Sequence, residues 1–193
     1  MEVQAEEITW IEQALTGDQF AFSQLMHRYA GAVYNLTYRM LGNAQDAEDA
    51  SQEIFLRAYT RLESFDRSRR FSTWLLSIAS NYCIDRLRRR RFAWLTLDDV
   101  AYTMPSRERG PERTALERER QDQVQSALRN LPDHYRLVLV LRYWQDLSYE
   151  EIAQVTGLTQ SALKTRLHRA RNMLAERLGP EEQELWQAET TVS

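Results

Sequence analysis

The sequence predicts an all-α chain in two small helical domains joined by a flexible linker. Three observations carry that prediction. Helix breakers are scarce, with 6 Gly and 4 Pro in 193 residues, and β-branched runs are few. Apolar residues recur at helical spacing in two long blocks. Between the blocks, residues 93–113 lose that spacing and carry Pro105, Gly110 and Pro111.

In the first block, residues 6–15 form a short amphipathic helix ending at Gly17, and Asp18 is placed to cap the next. Phe20, Phe22, Leu25, Met26, Tyr29, Val33, Leu36 and Met40 then repeat at helical spacing, which predicts a core helix up to Leu41-Gly42. Asn43 caps a third helix, residues 44–62, with Ala47, Ala50, Ile54, Phe55, Ala58 and Leu62 toward the core. On its other side Asp46, Asp49 and Glu53 gather at i, i+3, i+7, with Gln52 beside them. Like charges at that spacing cost an isolated helix a few tenths of a kcal/mol per pair. The first-turn acids suit the helix dipole, but Glu53 lies beyond its reach. A basic partner surface or a solvated face would each account for it.

Residues 63–72 form a polar, Arg-rich loop, and a helix follows from Thr73 to about Arg91. Phe65, Arg67, Arg69, Arg70, Phe71 and Trp74 interleave cations with rings, a mixture suited to unstacked bases, although core packing explains Phe71 and Trp74 equally well. The helix ends in Arg86, Arg88, Arg89, Arg90 and Arg91, more cations than a C-terminal dipole calls for and consistent with a phosphate-tracking surface.

The second block opens with a helix over 114–130, and Pro132 starts another, whose run Leu137 to Leu141 implies burial on most sides. Ser148 and Glu151 form a capping box, Gly157 supplies the left-handed stop, and Thr159 caps a last helix. There Leu163, Leu167, Ala170 and Leu174 make one buried stripe, and Ser161, Thr165, His168, Arg169 and Asn172 point away, flanked by Lys164 and Arg171. Two helices around a Gly-containing turn, the second cationic outside, read as a helix-turn-helix with its recognition helix; an ordinary helical hairpin with a solvated face is the competing reading. The tail 179–193 is acidic.

Composition bounds the function. The net charge of −3 hides an acidic first quarter and a basic second one. A chain so near neutral lacks the bulk field of an independent, tight DNA binder, which points to a partner that delivers it to DNA. The single Cys83 excludes an internal disulfide and a cysteine-based zinc site. No apolar run reaches membrane-spanning length and no signal peptide is seen, so the expected location is the cytoplasm, without membrane insertion. The pattern holds no Gly-rich phosphate loop and no metal-spaced cluster, and the three His are scattered; no catalytic residue, metal or cofactor is expected.

The segments DAEDASQEIFLRAY, FSTWLLSIASNYCIDRLRR, the Leu131-Pro132 start and LSYEEIAQVTGLTQSALKTRLHRAR, in that order and spacing, resemble a bacterial RNA polymerase sigma factor of the extracytoplasmic-function (ECF) subfamily of the sigma-70 family. The resemblance implies sigma region 2 over residues 1–92, a linker over 93–113, sigma region 4 over 114–178 and an acidic tail. It implies that Asp46, Asp49, Gln52 and Glu53 meet the polymerase β′ clamp helices, and that the β flap is a further contact. The −10 element would be met by Asn81, Asp85, Arg88 and Arg89 together with Phe71, Trp74 and the loop around Phe65, Arg67, Arg69 and Arg70, which would hold a flipped base. The −35 element would be read by Lys164, Thr165 and His168, with Arg166, Arg169 and Arg171 toward phosphates and Ser161 beside them. His168 stands where a bulky apolar residue is common, and the helical wheel sets Arg166 near the packed side, where an intraprotein salt bridge is the alternative. Core polymerase and promoter DNA are the implied partners, and an anti-sigma factor is a further candidate. A stand-alone helix-turn-helix regulator is the alternative function.

Overall fold

The computed structural model describes residues 2–96 and 115–178. The linker, apart from residues 93–96, and the acidic tail lie outside the described residues. Helices α1 (Glu2–Leu15), α2 (Gln19–Leu41), α3 (Ala44–Thr60) and α4 (Phe71–Thr96) form the first domain, with a short 3-10 turn at Leu62–Ser64. Helices α5 (Ala115–Arg129), α6 (Asp133–Tyr143), α7 (Tyr149–Thr156) and α8 (Gln160–Ala175) form the second.

Caps fix the helix starts. Asp18 Oδ1 accepts from the backbone N–H of Phe20 at 2.8 Å and of Ala21 at 3.2 Å. Asn43 Oδ1 accepts from the N–H of Asp46 at 2.7 Å. At α7 the capping box is closed on both sides, Glu151 N–H to Ser148 Oγ at 3.2 Å and Ser148 N–H to Glu151 Oε2 at 2.9 Å. Gly157 ends α7 at φ 70, where a side chain would be strained. Ser148→Ala is expected to cost about 1 kcal/mol in denaturant unfolding. Burial works to raise the Glu151 pKa, but the bonds from Ser148 and the pairing with Arg70 outweigh it and leave the pKa lowered. Glu151's share of this stability is therefore full above its ordinary value of 4.5 and declines as the pH falls below it.

Burial follows the predicted stripes. Leu25, Leu36, Met40, Ile54 and Leu75 are fully buried in the first domain, and Leu139, Leu141, Ile152, Leu163, Leu167 and Leu174 in the second. Two residues depart from the expected core. Phe20, in the first turn of α2, is 73% exposed, and Met26 also reaches the surface. Helix α4 also continues to Thr96, past the point where apolar periodicity stops. Arg88 to Phe92, near its end, are exposed, so this stretch needs no apolar stripe.

The two domains pack on each other. The C-terminal end of α2 meets α5 and α6, and α4 meets α7. Gln125 Nε2 donates to the carbonyls of Tyr38 and Arg39, both at 3.3 Å, and Arg136 donates to that of Met40. Gln145 Nε2 donates to the Ala32 carbonyl at 3.0 Å, and the Arg39 guanidinium lies 4.3 Å from the centre of the Trp144 ring. Gly42 caps α2 in the left-handed region, and a Cβ there would come within 2.5 Å of Arg129 Cδ, so this turn is the seat of the second domain. Cys83 is fully buried, close enough to Arg136 to feel its charge, and burial pushes its thiol up to about 12.

Candidate nucleic-acid and partner interfaces

Helix α8 separates its two faces cleanly. Leu163, Leu167, Ala170 and Leu174 are buried, whereas Ser161, Lys164, Thr165, His168 and Arg169 are exposed. Thr159 accepts the Ala162 N–H at 3.2 Å and fixes the start of the helix. Lys164, Thr165 and His168 thus share one open surface. Arg166 is half-buried at its edge and forms no salt bridge among the described residues. It lies beside His134, in a groove shared with Thr159, Ser161, Thr165 and Arg169. Burial, then the charge of Arg166, hold the His134 pKa down. Arg171 is half-buried near Tyr143, where its charge works against the burial that raises the hydroxyl's pKa.

The Arg-rich loop is built on a ring cluster. Phe65, Phe71 and Trp74 lie within 5.3–5.4 Å of one another, centre to centre, and Phe71 is 5.5 Å from Tyr29. Phe71 is only 2% exposed. It is a support under the loop, with almost none of its surface open to solvent. Phe65 and Trp74 are partly open. An open groove between α1 and the loop is lined by Ile8, Ile11, Phe65, Arg67, Arg70 and Phe71. The loop cations have acidic neighbours, Arg67 with Glu12 at 3.4 Å, Arg69 with Asp66 at 3.5 Å, and Arg70 with Glu151 of the second domain at 2.7 Å. Both partners of the Arg67–Glu12 and Arg69–Asp66 pairs are more than half exposed, so those two are weak; in the third, Arg70 is exposed but Glu151 is only 17% exposed. A nucleic-acid backbone could displace the carboxylates of the two weak pairs at small cost.

Along α4, Asn81, Arg88 and Arg89 are exposed and Asp85 is half-exposed, paired with Arg88 at 3.3 Å. Arg91 reaches Asp133 in the second domain.

On α3, Asp49 and Gln52 face solvent, and Gln45 donates to Asp49 at 3.1 Å. Glu53 sits at the edge of that face and pairs with Arg57 at 2.7 Å. Asp46 does not face out with them. Arg86 donates to its Oδ1, and Arg90 donates to Oδ2 at 2.9 Å. The common face read from spacing therefore splits, with Asp46 turned against α4.

Sequence reasoning missed the groups that join the domains, Gln125, Arg136 and Gln145, and the carboxylates of α1 that close on the loop. One signal was present: a charged Arg136 opening the apolar run Leu137 to Leu141. His134, one of the three scattered His, lines the groove beside α8.

The family model described as Sigma-70 region 2 matches residues 25–93, and the one described as Sigma-70, region 4 matches residues 121–174. The ECF RNA polymerase sigma factor SigW of Bacillus subtilis (strain 168) is 40% identical over 176 residues, spanning 87% of this chain and 94% of the relative. The structure of CnrH in complex with the cytosolic domain of CnrY is similar with a TM-score of 0.64 at 32% identity, over 89% of this chain and 96% of that one. The sigma factor RpoE from Bartonella quintana, in complex with the anti-sigma factor NepR, shares the fold with a TM-score of 0.69 at 23% identity, over 81% of this chain and 95% of that one.

Proposed function

Because the chain belongs to the extracytoplasmic-function group of the sigma-70 family, and so is a promoter-specificity subunit of RNA polymerase, we propose a division of labour among its surfaces. Exposed Asp49 and Gln52, with Glu53 at the edge, dock on the clamp helices of core polymerase. The loop around Phe65 to Arg70 and the α4 face bearing Asn81, Asp85, Arg88 and Arg89 engage the −10 element, and the groove against α1 receives the flipped base. Lys164, Thr165 and His168 read the −35 element, with Arg166, Arg169 and Arg171 toward its phosphates and Ser161 at its edge. Bond-making chemistry belongs to the polymerase; this chain supplies address, and it acts where the polymerase is, in the cytoplasm.

The observation that supports this most is α8 itself, a helix whose inner stripe is fully buried and whose outer face presents Lys164, Thr165, His168 and Arg169 to solvent. An α-helix with that exposure fits a B-DNA major groove. The acidic charge of the chain as a whole fits a subunit that binds its promoter as part of a larger assembly. CnrH was solved with the cytosolic domain of CnrY, and a regulatory protein partner, of which an anti-sigma factor is one candidate, is included in this proposal for the chain.

Run-off transcription with core enzyme and a promoter library tests the reading: specific start sites are expected only when the chain is added. Lys164→Ala is expected to weaken −35 binding by about 1–3 kcal/mol and to relax base preference at one position. A uniform loss across all sequences, with a shallower salt slope, would instead mark Lys164 as a phosphate contact.

A further inference from the structure

Asp46 lies in the acidic set of α3, yet both carboxylate oxygens are taken by groups of its own domain. It occupies the third position of α3, and Asn43 bonds to it through both backbone and side chain. Arg86 binds Oδ1 and Arg90 binds Oδ2. The side chain is 21% exposed. Burial works to raise its pKa, and the bonds from Asn43 and Arg86 with the charge of Arg90 outweigh that and leave it lowered. A clamp helix could reach this carboxylate only by breaking two ion pairs.

Those pairs address a problem that the sequence creates. Arg86, Arg88, Arg89, Arg90 and Arg91 repel one another at i, i+3 and i+4 toward the C-terminal end of α4. Arg86 and Arg90 lie one turn apart on the side facing α3, and Asp46 bridges them. Arg86 also donates to the Tyr82 hydroxyl at 3.2 Å, and Arg57 lies 4.7 Å from the centre of that ring. The inner side of the basic tract is thus fastened down, and Arg88 and Arg89 are left facing outward.

We infer that Asp46 is a positioning residue for promoter opening, which acts by holding Arg86 and Arg90 and so aiming the basic end of α4 at DNA, and that it is not a polymerase contact. The inference rests on the reading of α4 as the −10-facing helix.

The test compares Asp46→Asn with Asp49→Lys in reconstituted holoenzyme, measuring core affinity and the rate of open-complex formation on a duplex promoter and on the same promoter pre-melted. Asp46→Asn is expected to leave core affinity within about twofold and to slow opening of the duplex about tenfold, with a smaller effect on the pre-melted template. Asp46→Glu, which keeps the charge, should restore at least half of the lost rate. In an Arg86→Gln, Arg90→Gln background, Asp46→Asn should add less than about a further twofold, because the groups it acts through are gone. A loss of core affinity from Asp46→Asn comparable to that from Asp49→Lys would overturn the inference, as would an undiminished effect in the double-Gln background. If the double-Gln protein itself opens the promoter normally, the inference falls together with the −10 reading of α4. If it opens slowly but Asp46→Asn acts independently of it, only the inference falls.

Discussion

Reversing charge at Asp49 and Glu53 together, to lysine at both, is expected to lower core-polymerase affinity about 100-fold or more, roughly 3 kcal/mol. Asp49 is exposed and Glu53 sits at the edge of the same face, so neither contributes to the core of its own domain. The inner side of α3 rests on Ala47, Ala50, Ile54 and Ala58, which the substitutions leave untouched. The internal cost is the Glu53–Arg57 pair, an i, i+4 contact with both partners more than a third exposed, worth about 0.3–0.5 kcal/mol. The effect should therefore appear in association and hardly at all in unfolding. Against a basic clamp surface, two attractive contacts become two repulsive ones, and like-charge juxtaposition across an interface costs several kcal/mol. Anisotropy titration of labelled protein with core enzyme, alongside thermal melting, separates the two. Unchanged affinity in a protein that melts normally would remove this face from the docking surface.

The sequence made local features legible because local chemistry determines them. The capping residues Asp18, Asn43, Ser148 and Thr159 stand where they were read, and each makes its cap bond. The α8 stripe is buried at all four expected positions. What spacing along one helix cannot contain is the helix beside it. Asp46 and Glu53 do share a side of α3, but α4 runs along that side and takes Asp46 for its own arginines. Phe71 was readable as a ring facing bases or as a core ring, and spacing could not decide between them, because Tyr29, which packs on it, is 42 positions away in sequence. The docking of one domain on the other was likewise out of reach. Much of its hydrogen bonding is made by side-chain amides and a guanidinium donating to backbone carbonyls, and a carbonyl leaves no mark in a sequence.

Arg136→Met is expected to destabilise the protein by about 3–5 kcal/mol. The guanidinium is a buried junction. Its Nε donates to the Leu128 carbonyl at 2.9 Å, and Nη2 donates to those of Arg129 at 2.8 Å and Leu131 at 3.1 Å. Nη1 donates to the Met40 carbonyl at the end of α2. Leu128, Arg129 and Met40 lie in the last turns of α5 and α2, where a cation is favoured; the Leu128 carbonyl also accepts from the Leu131 N–H at 3.0 Å, so the acceptors that depend on Arg136 are those of Arg129, Leu131 and Met40. Replacing a buried ion pair by apolar groups can be neutral when both partners go. Here the acceptors are backbone and remain, and each unpaired buried acceptor costs about 1–3 kcal/mol, less whatever relaxation recovers. Arg136→Lys keeps the charge but not the fork, so it should restore only part of the loss. The Met40 bond adds a second expectation, because it fastens α6 to the first domain over Cys83. A thiol reagent should modify Cys83 slowly in the parent, where the group is buried and its pKa is pushed up to about 12. Modification should be faster in Arg136→Met under conditions where both proteins are folded. A cost below about 1 kcal/mol would mean that the carbonyls of Arg129, Leu131 and Met40 find other donors and that Arg136 is not the junction of the fold. A normal cost with unchanged Cys83 reactivity would confine its role to the α5–α6 corner and leave the contact between the domains to Gln125, Gln145 and the Arg39–Trp144 stack.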